Sequence, residues 1–129
     1  MGGVKQNIAK IGETFAADHL KAHGYEILVH NYRFQRGEID LIAQHGNCIV
    51  FVEVKTRRSL KYGFPQHAVT KQKQRQISKI ALAYLQTQDI IDTPCRFDVI
   101  AIHLSPQFDV LSLEQFENAF DFLPDPDMV

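Results

Sequence analysis

Residues 36–55 read "RGEIDLIAQHGNCIVFVEVK", a mostly apolar, β-branched stretch that nevertheless carries Glu38, Asp40, Glu53 and Lys55. "GEIDLIA" (37–43) and "CIVFVEVKT" (48–56) read as two strands. The tetrad Gln44-His45-Gly46-Asn47 between them reads as a hairpin turn, with Gly and Asn where positive φ is needed. Side chains alternate along a strand. Ile49, Phe51, Glu53 and Lys55 therefore share one face of the second strand, and Val50, Val52 and Val54 the other. Both faces are apolar over most of its length, which predicts a central strand covered on each side. On the first strand Glu38, Asp40 and Ile42 share a face, and the hairpin carries Asp40 toward Glu53.

Working outward, a helix is predicted from about Val4 to His23, with Gly24 as its stop and Ile8, Ile11, Phe15 and His19 as its apolar stripe. Glu13 lies seven residues before Leu20, about 20° away around the axis, and so falls at the border of the buried face. "YEILVHNYRF" (25–34) is a further strand. After a loop from Arg57 to His67, a second helix runs from about Val69 to Gln88, with Thr70 as N-cap. Its stripe is Ile77, Ile80, Ala81, Tyr84 and Leu85. "RFDVIAIHL" (96–104) is a fourth strand, "LEQFENAF" reads as a short amphipathic helix, and residues from about 124 to 129 as a frayed tail. The order α-β-β-β-α-β predicts an α/β (α+β) fold with a central mixed sheet flanked by helices, one domain over residues 1–129.

Composition narrows the function. No run of about 18 apolar residues exists to span a membrane, and the N-terminus lacks the apolar core of a secretory signal. A cytoplasmic protein is expected. Cys48 and Cys95, without CxxC spacing or clustered histidines, read as buried free thiols. No Gly-rich phosphate loop is present, which disfavours triphosphate hydrolysis. The net charge of −1 conceals an uneven distribution. Eight basic residues and no acid lie between Lys55 and Lys79, whereas nine acids and one base follow from Asp89 onward. Such asymmetry predicts a basic face for a polyanion.

An isolated E-x-K triplet on a strand is usually a cross-strand ion pair. Here it ends a doubly apolar strand, with an Asp on the partner strand, a helix-border Glu upstream and a basic run downstream. Clustered carboxylates repel unless a proton or cation intervenes, and burial without a partner costs several kcal/mol. A divalent metal resolves that conflict, since magnesium takes one or two carboxylates together with water and phosphate oxygens. A lysine two residues from the metal-binding Glu then polarises water or holds phosphate.

"IGETFAADHL", "GEIDLI", "FVEVKTR", "AVTKQKQ" and "RFDVIAI" together resemble the YraN-like bacterial family, assigned to the PD-(D/E)XK superfamily of restriction endonucleases and Holliday-junction resolvases. The resemblance covers most of the chain and implies a restriction endonuclease-like core. It implies Asp40 and Glu53 as metal ligands, Lys55 as the residue that assists water activation, and Glu13 as an accessory acid on the first helix. The proline that names the superfamily is absent, with Ile39 before Asp40.

The expected activity is divalent-metal-dependent phosphodiester hydrolysis of DNA, structured or branched DNA being favoured. Magnesium or manganese would be held by Asp40, Glu53 and the Val54 carbonyl. Lys73 and Gln74, where the core stripe of the second helix runs out toward its N-terminus, and Arg57 and Arg58, after the catalytic strand, are expected nucleic-acid contacts. Tyr62 and Phe64 are candidates to stack on bases. Asp98 shares parity with Ile100 and Ile102 and is expected to bond the region of the first helix. A homodimer fits a small domain that cuts two strands. The reading set against an enzyme is a non-catalytic nucleic-acid-binding module that keeps the fold and serves a repair, replication or RNA-processing partner.

Overall fold

The structure, a computed structural model, describes residues 3–58 and 69–124. Tyr62, Phe64 and the tail 125–129 lie outside the described residues. The elements run α1 (Gly3–Ala22), β1 (Glu26–Phe34), β2 (Gly37–His45), β3 (Cys48–Arg57), α2 (Lys71–Thr87), β4 (Cys95–Leu104) and β5 (Val110–Phe120). They form one five-stranded sheet in the order β1-β2-β3-β4-β5. β3 and β4 are parallel and the other pairs antiparallel, so the sheet is mixed. α2 is the crossover between the two parallel strands, which a hairpin cannot join. The arrangement is that of a restriction endonuclease-like core.

β3 is buried on both faces, as its pattern requires. Val50 and Val52 pack with Leu41, Ile100 and Ile102 beneath α1. Ile49 and Phe51 pack with Ile77, Ile80 and Phe97 beneath α2. Phe51 is 1% exposed, and a side chain of that size contributes about 1.5–3 kcal/mol on full burial. The β2–β3 turn is tighter than the predicted tetrad: His45 pairs with Cys48, and Gly46 alone of the two turn residues has positive φ, at 63°.

Ile8 and Ile11 of the predicted α1 stripe pack against the core, but the most buried face is rotated away from Phe15. Gly12, Ala16, Ala17 and Leu20 are buried, whereas Phe15 is 38% exposed. Small residues win because the helix sits very close to β3. A Cβ at Gly12 would collide with the Thr56 side chain. Gly12→Ala is therefore expected to destabilise the protein by about 1–3 kcal/mol, despite alanine's better helix propensity. Adding Thr56→Ala should restore part of that loss, since the Thr56 Cβ that remains lies 2.9 Å from the new one. Denaturant unfolding of the two single variants and the double variant checks this, and additive losses would refute the close-contact explanation.

Three readings need correction. "LEQFENAF" belongs to β5, not to a helix. Leu113 and Gln115 stand opposite Ile102 and Ile100 on the α1 face, while Phe116 and Phe120 stand opposite Val99 and Phe97 toward α2. Apolar residues on opposite faces of a strand fall at odd spacings, and 113, 116, 120 imitates a helix. Cys95 is exposed, although both cysteines are free thiols. On β2, Ile39 and Ile42 both join the α2 core while Leu41 joins the α1 core, so alternation breaks around Asp40 and Glu38 does not share one continuous face with Ile42.

Asp98 is fully buried toward α1. It accepts hydrogen bonds from Arg96 Nε (3.0 Å), Gln115 Nε2 (2.9 Å) and the Asn118 amide (2.9 Å). Gln115 also meets His19 of α1 at 3.0 Å, so the link to the first helix runs through β5. Such a charge survives burial because its lone pairs are satisfied.

Candidate active site

The β2–β3 ladder runs from His45↔Cys48 to Leu41↔Val52 and stops. The next pair would be Asp40 and Glu53. Instead the Val54 amide donates to Asp40 Oδ2 at 2.8 Å, a side chain taking the place of a backbone acceptor. The strands part here, and the gap receives the carboxylates. Glu53 continues the buried α2-facing row of β3 and is 3% exposed. Glu13 reaches the same place from the border of α1 and is half-buried.

Asp40 links the three acids electrically, acting on both Glu13 and Glu53. Burial, then the charge of Asp40, pushes Glu53 up to about 8, although Lys73, Lys55 and the Asp40 amide oppose the rise. Burial and Asp40 likewise push Glu13 up to about 7, despite a polar contact with Asn31. Burial also raises Asp40, against the pull of the Val54 amide, Lys55 and Lys73. Lys55 Nζ stands 3.9 Å from Glu53 Oε2. Glu53 Oε1 is buried without a hydrogen-bond partner among the described residues, and an unsatisfied buried acceptor calls for a proton or a cation.

The donor set fits a hard divalent cation. Among the described residues no group of three or more His, Cys, Asp and Glu side chains forms a protein-only metal site. Magnesium is usually held by one or two carboxylates, with the remaining positions left to water and substrate. Asp40 and Glu53 meet that pattern, and the orphaned Oε1 is an oxygen such an ion would engage.

The remaining candidates divide. Lys73, half-buried on α2, acts electrostatically on both Asp40 and Glu53. Gln74 Nε2 donates instead to the Val69 carbonyl at 3.1 Å, beside the Thr70 cap. Arg57 and Arg58 line a cavity of about 550 Å³ with Ile8 and Ala9 of α1. Arg57 Nη1 bonds the Thr56 carbonyl at 3.1 Å, and the Arg58 guanidinium lies 5.2 Å from the Phe108 ring centroid. The structure thus groups Glu13, Asp40, Glu53, Lys55 and Lys73, while Arg57 and Arg58 continue from Lys55, whose cavity they share, toward α1 and the β4–β5 turn.

Asn31 escaped the sequence reading. It sits in β1 opposite Asp40, between the pairs His30↔Leu41 and Tyr32↔Ile39, with φ of 53°. Asn tolerates that left-handed conformation better than a β-branched strand residue such as Val29 would. A single Asn inside "ILVHNYRF" was the available signal.

Fold and site together define a restriction endonuclease-like protein with a carboxylate–lysine cluster at the parting of its hairpin strands. The chain belongs to the uncharacterised protein family UPF0102, matched over residues 12–102, the YraN-like family of the PD-(D/E)XK nuclease-like superfamily. It is 52% identical to a UPF0102 protein of Syntrophus aciditrophicus, covering 87% of each chain. It is 45% identical to one from Caldicellulosiruptor saccharolyticus over 90% of this chain and 98% of that one. A UPF0102 protein of Trichlorobacter lovleyi is 48% identical over 94% and 95%, respectively. Among solved structures, Pyrococcus furiosus SfsA in complex with Ca2+ aligns at a TM-score of 0.35 and 12% identity, over 88% of this chain and 62% of that one. A likeness that slight carries no argument about this chain. No helix among the described residues is long and apolar enough to cross a membrane.

Proposed function

We propose that this protein is a divalent-metal-dependent phosphodiesterase acting on DNA, with structured or branched DNA as the favoured substrate. The observation that carries this reading is the coupled set Glu13, Asp40 and Glu53, pushed upward by burial and mutual repulsion, with Lys55 and Lys73 alongside. Perturbed carboxylates beside a lysine mark a site arranged for chemistry. Asp40 and Glu53 would hold magnesium or manganese, with the Val54 carbonyl as a further ligand. Such an ion, when bound, supplies Lewis-acid stabilisation of the charge developing on the phosphoryl oxygens.

The protein's own groups do the rest. Lys55 orients and polarises the attacking water, which approaches phosphorus opposite the leaving oxygen. Glu13 anchors water on the α1 side, and Lys73 offsets the charge of the phosphate. Asp40 keeps the parted strands together through the Val54 amide, which fixes Glu53 and Lys55 in register. A cytoplasmic location and a homodimer accompany this reading as proposals.

The test is a panel of duplex, single-stranded, flap and four-way-junction DNA, incubated with magnesium, manganese or EDTA. Metal-dependent cutting lost in Asp40→Ala is the expected result. Salt-sensitive binding without cutting in every lane would replace the enzyme with a non-catalytic nucleic-acid-binding module.

A further inference from the structure

A trough crosses the surface between the tip of the β1–β2 hairpin and the N-terminal half of α2. Its far end, a cavity of about 460 Å³, lies between Arg36 and Lys79, over Phe34 and Ile80. The middle, about 370 Å³, is bounded by Arg33, Arg36, Lys73 and Gln76. The near end, about 330 Å³, passes Lys73 to Thr70, the N-cap of α2. Gln76 lines all three, so they adjoin one another along this face as a channel. Gly37 makes the close approach of hairpin to helix, since a Cβ there would strike the Gln76 amide and Ile80.

The channel carries four cations and one carboxylate, Glu38, whose Oε2 lies 3.3 Å from Arg33 Nε. Lys73, Gln76 and Lys79 recur every third residue along α2 and span about 9 Å of its axis. That length is enough to face about two neighbouring phosphates of one strand. No acid occupies the first turn of α2, leaving its positive dipole end available to an anion. Glu38, two residues before Asp40 on β2, lines the middle of the channel together with Lys73, so the channel runs beside the carboxylate cluster.

We propose that this channel seats the phosphodiester backbone of a DNA strand, with Arg36 and Lys79 gripping phosphates remote from the one that meets Lys55. The inference rests on the DNA phosphodiesterase reading and adds the path of the strand. It gives the α2 side of the sheet a part in binding, beside the cavity that Lys55 shares with Arg57 and Arg58.

Fluorescence anisotropy with a labelled DNA four-way junction, in EDTA so that nothing is cut, separates the outcomes. Arg36→Gln/Lys79→Gln is compared with Lys21→Glu, which removes the same net charge from the exposed last turn of α1. The double variant should bind roughly 10-fold more weakly, and the slope of log affinity against log salt should fall by about two. Lys21→Glu should change affinity less than about 2-fold. Equal weakening by both variants, or none by either while wild type binds, overturns the channel and leaves the DNA reading standing. No binding by wild type at low salt removes the DNA reading itself. Tighter channel-dependent binding to an RNA junction of the same sequence overturns the assignment to DNA. Arg36→Gln alone, at the exposed hairpin tip, should give about half the fall in slope and reads the same way if the double variant unfolds.

Discussion

Lys55→Ala is expected to slow metal-dependent DNA cleavage by roughly 10²–10⁴-fold while leaving DNA affinity and divalent-ion affinity within a few-fold of wild type. The asymmetry follows from position. Lys55 stands 3.9 Å from Glu53 and lines the α1-side cavity, but contributes no oxygen to an ion and lies outside the basic channel. Its charge matters most when negative charge builds on the phosphoryl group, and an interaction made chiefly in the transition state appears in kcat. Single-turnover rates at saturating DNA, with binding measured in parallel, decide the matter. A variant that cuts as fast as wild type would remove Lys55 from the mechanism. A variant that loses binding and cutting equally would make it a docking residue.

The second large effect concerns stability. A carboxyl whose folded pKa is raised holds its proton more tightly when folded, so its stabilisation is full below the unfolded value and is lost as pH climbs to the folded one. Glu53 moves from 4.5 to about 8, so metal-free protein should lose stability steadily between about pH 4.5 and 8. Glu13, raised to about 7, acts in the same direction, weakened by its partial exposure. At about 1.4 kcal/mol per unit, Glu53 alone sets an upper bound of about 3–5 kcal/mol, or roughly 10 °C or more in Tm. Magnesium or manganese should reverse the trend at high pH, since an ion that binds only the folded state stabilises it by mass action. Glu53→Gln, uncharged throughout, should flatten the EDTA profile, raise Tm at pH 8 and abolish cleavage. Thermal melts in EDTA and in magnesium across this range are the measurement. A flat wild-type profile in EDTA would mean that the acids are not held as this geometry requires.

Both predictions concern a cluster whose members were readable in advance, because the residues that make it are periodic. Asp40, Glu53 and Lys55 interrupt strands whose neighbouring positions are mostly apolar, and Glu13 borders a helical stripe. An ionisable group at a position that pattern assigns to the interior stands out without coordinates. The doubly apolar β3 likewise announced a central strand with a helix over each face, and Thr70 announced the start of α2.

What periodicity could not supply was phase and distance. β5 was misread because its apolar residues serve two faces, and only pairing with β4 shows which residue serves which. The buried face of α1 was misplaced because close approach to Thr56 favours Gly12 and Ala16, which carry little hydrophobic signal, over Phe15. The break in alternation at Asp40, the left-handed Asn31 and the basic channel between hairpin tip and α2 arise where segments distant in sequence meet. Sequence alone determined the fold class and which charged residues stand at interior positions, because local patterning records burial. Tertiary structure decided which of them meet, because side-chain coupling depends on a few ångströms of separation that no spacing along the chain encodes.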